Sequence, residues 1–325
     1  MTSNPLVFLR ATFYRWAQLW PQLCESLADA PEVLAVADLH IENFGNWRDL
    51  EGRLIWGVND VDEAHPLPYT SDLVRLATSA VLLGERGLKM SLSRVCDAIM
   101  LGYMKGLTRG PRPFVLAERH RKLRKMALGE LRNPKLFWSR MDALPTASDV
   151  PADALAILAA ALPAGLSYRL CTRQAGEGSL GRQRFLALAD YAGGMVAREV
   201  KAVAPSAVLW QSKAPASIFY QNLLDSPHRV KDPYVHLQDR WIVRRLAPDC
   251  SRIDLSAITA VSDQTVLLKS MGRETANIHL GTVGAQERIL GDLDRRMRYW
   301  LEVSVECMVD ACLKDFGQWR KHMKR

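Results

Sequence analysis

The chain has 325 residues, 48% of them apolar and 24% charged, with a net charge of +8; this is ordinary globular composition, enough for one large or two modest domains. No apolar run of about eighteen residues occurs, so no membrane span is expected, and the opening M-T-S-N-P-L-V-F-L-R lacks the charged start and unbroken apolar stretch of a signal peptide. The six cysteines (Cys24, Cys96, Cys171, Cys250, Cys307, Cys312) form no C-x-x-C pair and are read as reduced thiols, the pattern expected of a cytoplasmic protein.

In chain order, Val7 to Leu27 carries apolar and aromatic residues at helical spacing. Val36 to Gly45 (V-A-D-L-H-I-E-N-F-G) is a carboxylate-rich turn segment at the edge of a hydrophobic strand, and the apolar run Leu54 to Val58 reads as the partner strand of a strand-loop-strand hairpin. Leu73 to Leu83 is a helix with Ser71 as its N-cap, and Ser91 to Leu107 and Phe114 to Leu128 are further helices, separated by the breaker Gly106 to Pro113. Pro145 to Gly165, rich in Ala and Pro, reads as a linker ending in a short helix. Strands then dominate: Ser167 to Arg173, Arg182 to Ala189, Met195 to Val203 and Trp241 to Leu246. Helices return from Ala257, including a long amphipathic one from about Ile289 to Trp319. The order is helical (1–150), β-rich (165–250), helical (251–325), an α+β chain without repeats.

Two basic runs, Arg119 to Lys125 and Arg320 to Arg325, carry much of the positive charge. Such patches can attract nucleic acid or anionic substrates. With no interleaved aromatics in the first run and no zinc-finger spacing, a solvated helix face and a frayed terminus are the simpler reading, and no specific nucleic-acid binding is expected.

Three features carry chemistry. Asp38 and Asn43 lie five residues apart at strand edges, and Asp60 follows the second strand, so a hairpin brings three oxygen donors around one hard cation. Such donors suit Mg²⁺, which takes one or two carboxylates, keeps waters and binds substrate phosphates. The second feature is the glycine loop G-E-G-S-L-G (Gly176 to Gly181) between two β segments. A dinucleotide fold requires a helix after such a loop, and a Walker A loop requires Lys then Ser or Thr where Arg182 and Gln183 stand, so both fit poorly. A hairpin turn using glycine for positive φ is the structural alternative. The third is Lys201, on a strand-like run twenty residues beyond Gly181. A strand lysine alone is usually a surface charge, but a glycine-rich hairpin followed by a strand lysine is also the way kinases hold phosphates.

D-L-H-I-E-N (Asp38 to Asn43) resembles the catalytic loop of aminoglycoside-phosphotransferase-type kinases, and Asp62 to Ala77 resembles the stretch that follows their metal-binding Asp. Together with N-P-L-V-F-L-R near the start and V-K-A-V-A-P-S later, the chain resembles the bacterial family called domain of unknown function 2252. The resemblance implies a kinase-like two-lobe fold, a large helical lobe with a small antiparallel sheet lobe. It also implies circular permutation, because the catalytic segment precedes the glycine loop. In the roles it implies, Asp38 orients or accepts the proton of the attacking hydroxyl, and Asn43 and Asp60 hold Mg²⁺ with Asp62 as a further carboxylate. Gly176, Gly178, Ser179 and Gly181 cradle the phosphates of ATP and Lys201 neutralises them. The activity implied is ATP/Mg-dependent phosphoryl transfer to an unidentified hydroxyl-bearing acceptor; the alternatives are a non-catalytic nucleotide-binding pseudokinase and a metal-dependent hydrolase using Asp38, His40, Asp60 and Asp62. Trp241 to Leu246 would be the strand beside the adenine. His40 is expected to bond neighbouring backbone, and Asp72 to cap its helix or brace the catalytic loop. The His-Gly pair that often precedes the catalytic Asp of such kinases is absent, Ala37 standing there, and no Glu lies between Lys201 and Glu274 to partner the lysine.

Overall fold

The computed structural model describes residues 4–84, 87–116, 118–130, 133–173, 182–211 and 216–323. Two short helices open the chain, α1 (Pro5–Ala11) and α2 (Phe13–Leu23). Asn4 caps the first, its side-chain oxygen accepting the Val7 N–H at 2.8 Å. The single helix expected over Val7 to Leu27 is thus broken at Thr12, whose hydroxyl bonds back to the Phe8 carbonyl.

Strands β1 (Glu32–Ala35), β2 (Phe44–Arg48), β3 (Leu54–Val58) and β4 (His65–Pro68) follow. β2 and β3 form an antiparallel hairpin, Phe44 opposite Val58, whose first strand begins only at Phe44; residues 36–43 are turn, and β1, the strand that precedes Asp38, pairs with β4 instead of β3. Helix α3 (Tyr69–Leu82) starts two residues before the predicted Ser71 cap, and is buried along nearly its whole length. Helix α4 (Leu92–Arg109) ends at Gly110, where φ is +72°. The predicted helix from Phe114 is corrected at its front: Phe114–Val115 is a short strand, β5, that extends the hairpin beside β3, and α5 begins only at Arg121 (Arg121–Glu130).

Helices α6 (Pro134–Asp142) and α7 (Ala152–Ala160) bracket a five-stranded antiparallel sheet. Its strands are β6 (Arg169–Thr172), β7 (Arg184–Tyr191), β8 (Gly194–Ala202), β9 (His236–Gln238) and β10 (Trp241–Leu246), in the order β6-β7-β8-β10-β9. The Ala/Pro-rich stretch is therefore not a linker: α7 buries Ala154, Ile157 and Leu158 against Phe185, Ala187, Val200, Trp241 and Val243. On the other sheet face α6 places Met141 against Leu186, Leu188, Ala197 and Leu246.

The short helix α8 (Tyr220–Leu224) lies between β8 and β9. The chain returns to the main core through α9 (Val261–His279), α10 (Ala285–Leu293) and α11 (Trp300–His322). One long helix from Ile289 was expected; a turn around Arg295 to Arg298 divides it. Helices α4 and α9 cross at backbone contact. A β-carbon on Gly102 would collide with the Lys269 carbonyl, and one on Gly272 with the Ile99 carbonyl, so both positions require glycine for close approach. The crossing helps hold α9, whose Glu274 and His279 reach the elements that carry the site. Among the described residues no helix is long and apolar enough to cross a membrane.

Candidate functional site

A cleft of about 670 Å³ lies between the hairpin loops and the five-stranded sheet, and Asp38, Asn43, Asp60, Asp62 and Lys201 all line it. The turn that presents Asp38 follows β1. Ala37 has φ +68°, and the Asp38 N–H donates to the Val36 carbonyl at 2.9 Å. An i→i+2 hydrogen bond around a positive-φ residue is the rare, strained form of γ-turn. Glycine would adopt it without strain, whereas Ala37 carries a β-carbon at this φ.

Asp72, fully buried on the first turn of α3, holds the turn in place. Its two carboxylate oxygens accept the Val36 and Ala37 N–H groups, each at 2.8 Å, and His279 Nε2 lies 3.1 Å from Oδ2. His279 Nδ1 in turn meets the Tyr103 hydroxyl at 2.9 Å. Of the two roles expected for Asp72, these bonds are the bracing one. His40 is buried, and its Nδ1 accepts the Glu42 N–H at 3.2 Å, so it bonds neighbouring backbone as expected. Burial, then Arg10 and Arg75, hold its imidazole well below the usual range.

Asp38 is paired with Arg75, whose Nε donates to Oδ1 at 2.7 Å. Arg75 is wholly buried, with its guanidinium 4.8 Å from the Phe13 ring and 4.9 Å from the Trp16 ring, and it also donates to the Leu9 carbonyl. Burial pushes the Asp38 carboxyl up to about 7 against the pull of Arg75, with Glu63 and Asp60 adding to the rise. A carboxylate tuned near neutrality is suited to accept a proton in a transition state.

Asn43 Oδ1 accepts the His40 N–H at 2.6 Å, and its Nδ2 lies 3.4 Å from the Asp60 carbonyl. The amide thus ties the loop after β1 to the loop after β3. The Asp60 side chain is 49% exposed in the cleft. Burial alone would raise its pKa, but Lys201, Arg244 and His40 outweigh it and hold the carboxyl at about 2. Among the described residues no three His, Cys, Asp or Glu form a ready-made metal cage. The exposed Asp60 carboxylate, on the loop that the Asn43 amide tethers, is nevertheless a hard-oxygen donor of the kind Mg²⁺ shares with substrate phosphates.

Lys201 reaches this acidic side from β8. Its ammonium is ion-paired with Asp62 and lies 3.8 Å from Asp60 Oδ1. Its partners are thus these aspartates. Next to it Arg182 bonds Glu63 at 2.8 Å and lies 3.6 Å from Asp62, and Glu63 also accepts the Ala207 N–H at 2.6 Å. Gly176, Gly178, Ser179 and Gly181 lie outside the described residues.

Several residues of the site were not singled out from the sequence. Glu199 is wholly buried on the same face of β8 as Lys201, and Arg173, Arg184 and Arg244 bond it at 2.8, 3.1 and 2.6 Å. Burial would raise its pKa, but Arg244, Arg184 and Arg173 outweigh it and hold the carboxyl at about 2. The period-2 rule places Glu199 beside Lys201 from sequence alone. Arg75 had no such signal, since its approach to Asp38 depends on how α3 packs.

Residues 1–130 match a family model described as "Uncharacterized protein conserved in bacteria (DUF2252)". That segment carries Asp38, Asn43, Asp60, Asp62, Asp72 and Arg75, and ends before the five-stranded sheet. No curated protein and no solved structure matches the chain.

Proposed function

We propose that the protein is an ATP/Mg²⁺-dependent phosphotransferase of circularly permuted, kinase-like architecture, acting on a hydroxyl-bearing acceptor. The observation that carries the reading is the meeting, across one cleft, of a strand lysine with two aspartates beside a partly buried Asp38 clasped by Arg75. Strand order supports it. The segment 174–181 joins the first two strands of the antiparallel sheet, β6 and β7, and Lys201 stands on the third, β8, which is how kinases arrange a phosphate-covering loop and its lysine. In this reading the large lobe is split in sequence, its catalytic loops preceding the sheet and α9 to α11 following it.

Asp38, held by Arg75 and by the Asp72-braced turn, orients the acceptor hydroxyl and takes its proton as the hydroxyl oxygen bonds the γ-phosphorus and the bond from that phosphorus to the bridging oxygen breaks, ADP leaving. Lys201 and Arg182 exchange their carboxylate partners for phosphate oxygens. Asp60, the Asn43 amide oxygen and Asp62 would hold the metal, and a bound Mg²⁺ would supply charge neutralisation for the phosphoryl group being transferred. The hydrolase alternative gains no support from His40, whose Nδ1 is already engaged by backbone. Thermal unfolding tests the proposal: ATP with Mg²⁺ at a hundredfold the dissociation constant should stabilise the wild type by about 2.7 kcal/mol, and Asp60→Ala should abolish the magnesium-dependent part. Absence of stabilisation by any nucleotide would overturn it.

A further inference from the structure

One end of the cleft is built without the five-stranded sheet. Arg10, in the last turn of α1, Glu42, on the turn after Asp38, and Arg252, on the segment after β10, line it together with Asp38. Arg75 ties this end to Asp38: it clasps that carboxylate and also donates to the carbonyl of Leu9, the residue before Arg10. Arg252 is held through its backbone, which is bridged to Gly45 of β2. In the proposed function Lys201, Asp60 and Asp62 mark the donor side of the cleft. In an in-line transfer the attacking oxygen stands opposite the leaving one, so the charges at this end face the acceptor.

Those charges are a pair of guanidiniums and a single carboxylate. Arg10 Nη1 and Arg252 Nη1 both donate to one oxygen, Glu42 Oε2, Arg252 at 2.6 Å. Among the described residues Glu42 is the one carboxylate paired with either arginine. Arg10 Nε is buried without a hydrogen-bond partner, a costly state for a charged donor. Guanidiniums bind carboxylate or phosphate best as two-pronged forks, and here each gives one prong to a shared oxygen. The Glu42 side chain is partly exposed and that of Arg252 half exposed, so the two can part without opening the core. The Glu42 carboxylate thus has the place and the contacts that an oxyanion on the acceptor would take.

Resting on the phosphotransferase reading, we infer that the acceptor carries an oxyanion, a carboxylate or a phosphate, besides the hydroxyl it offers to Asp38, and that Arg10 and Arg252 bind this group in the place Glu42 holds at rest. Thermal unfolding tests this with β,γ-methylene ATP and Mg²⁺ held saturating, so that the donor site stays filled. The probes are inorganic phosphate and acetate, compared with chloride at equal ionic strength. One or both should raise Tm saturably, and which of them does so tells a phosphate-bearing acceptor from a carboxylate-bearing one. Arg252→Gln should raise the dissociation constant of the bound probe about tenfold or more, and Glu42→Gln, which removes the internal competitor, should lower it about tenfold. A merely structural bridge between α1 and the segment after β10 would give neither shift. Should Arg252→Gln fail to fold, Arg10→Gln takes its place with the same expected loss. No saturable rise with either probe, while the nucleotide analogue binds, would overturn the inference and leave the proposed function standing. Probe binding that the arginine variant does not weaken, or that Glu42→Gln does not strengthen, would also overturn it. If the nucleotide analogue itself did not bind, the proposed function would fall, and this inference with it.

Discussion

The two faces of the five-stranded sheet are built from alternate residues of the same strands and are held by opposite forces. Toward α7, Phe185, Ala187, Val200, Trp241 and Val243 form a dry apolar layer whose stability comes from area removed from water. Toward the cleft, their neighbours Arg184, Glu199, Lys201 and Arg244 form a charged layer in which every group depends on a partner. The period of two along a strand lets one segment serve the fold on one side and the site on the other. Residues on the first face can be exchanged for others of similar shape; residues on the second carry a charge pattern that stability alone would not select, since buried ion pairs are often no better than well-packed apolar groups.

The largest expected effect comes from the centre of the charged face. Glu199→Gln leaves three arginines around a neutral amide, and breaking a buried ionic cluster in this way should cost about 3–5 kcal/mol, read as a fall in Tm. The same carboxylate gives this face a pH dependence. Its folded-state pKa of about 2 lies below the ordinary 4.5, so its stabilisation is present in full above the ordinary value. That stabilisation, about 3 kcal/mol, is lost as the pH falls from about 4.5 toward 2. Denaturant titrations of the wild type at stepped pH should show this loss, and Glu199→Gln should show it reduced. Equal acid sensitivity of the two proteins would remove Glu199 from the account.

The apolar face is probed by Trp241→Ala, which should cost about 3–5 kcal/mol through the cavity it leaves. The pH dependence of this loss should differ from that of Glu199 and be confined to Asp153, whose carboxylate accepts the Trp241 Nε1–H at 2.9 Å and is held below the usual range chiefly by that bond. The contrast sharpens further in binding. At temperatures where the variant stays folded, its stabilisation by ATP with Mg²⁺ should equal that of the wild type. Loss of that stabilisation would mean that the two faces are not separable.

The sequence showed the parts of this arrangement that depend on short-range pattern. The predicted strand runs Leu54 to Val58 and Trp241 to Leu246 are β3 and β10 with the same bounds, because apolar β-branched and aromatic runs between turn residues define a buried strand. The expected roles of Asp72 and His40 followed from position alone. Phe114 to Leu128 was misjudged because a two-residue strand ahead of a helix has no period of its own, and pairing with Ile55 and Trp56 decides it. The break near Arg295 escaped notice because the flanking residues keep a helical pattern across it. Pro145 to Gly165 read as a linker because alanine serves equally in a loop and in a helix packed close to a sheet. The clasp of Arg75 on Asp38 depends on residues from three separate elements, and no spacing in the chain announces it.

The most direct test of the central claim is calorimetric titration of ATP with Mg²⁺ into the wild type and into Lys201→Met. The account predicts saturable one-to-one binding to the wild type and binding at least about tenfold weaker in the variant, with the variant still cooperatively folded. Equal affinity in the two proteins, or no binding to the wild type, would contradict it.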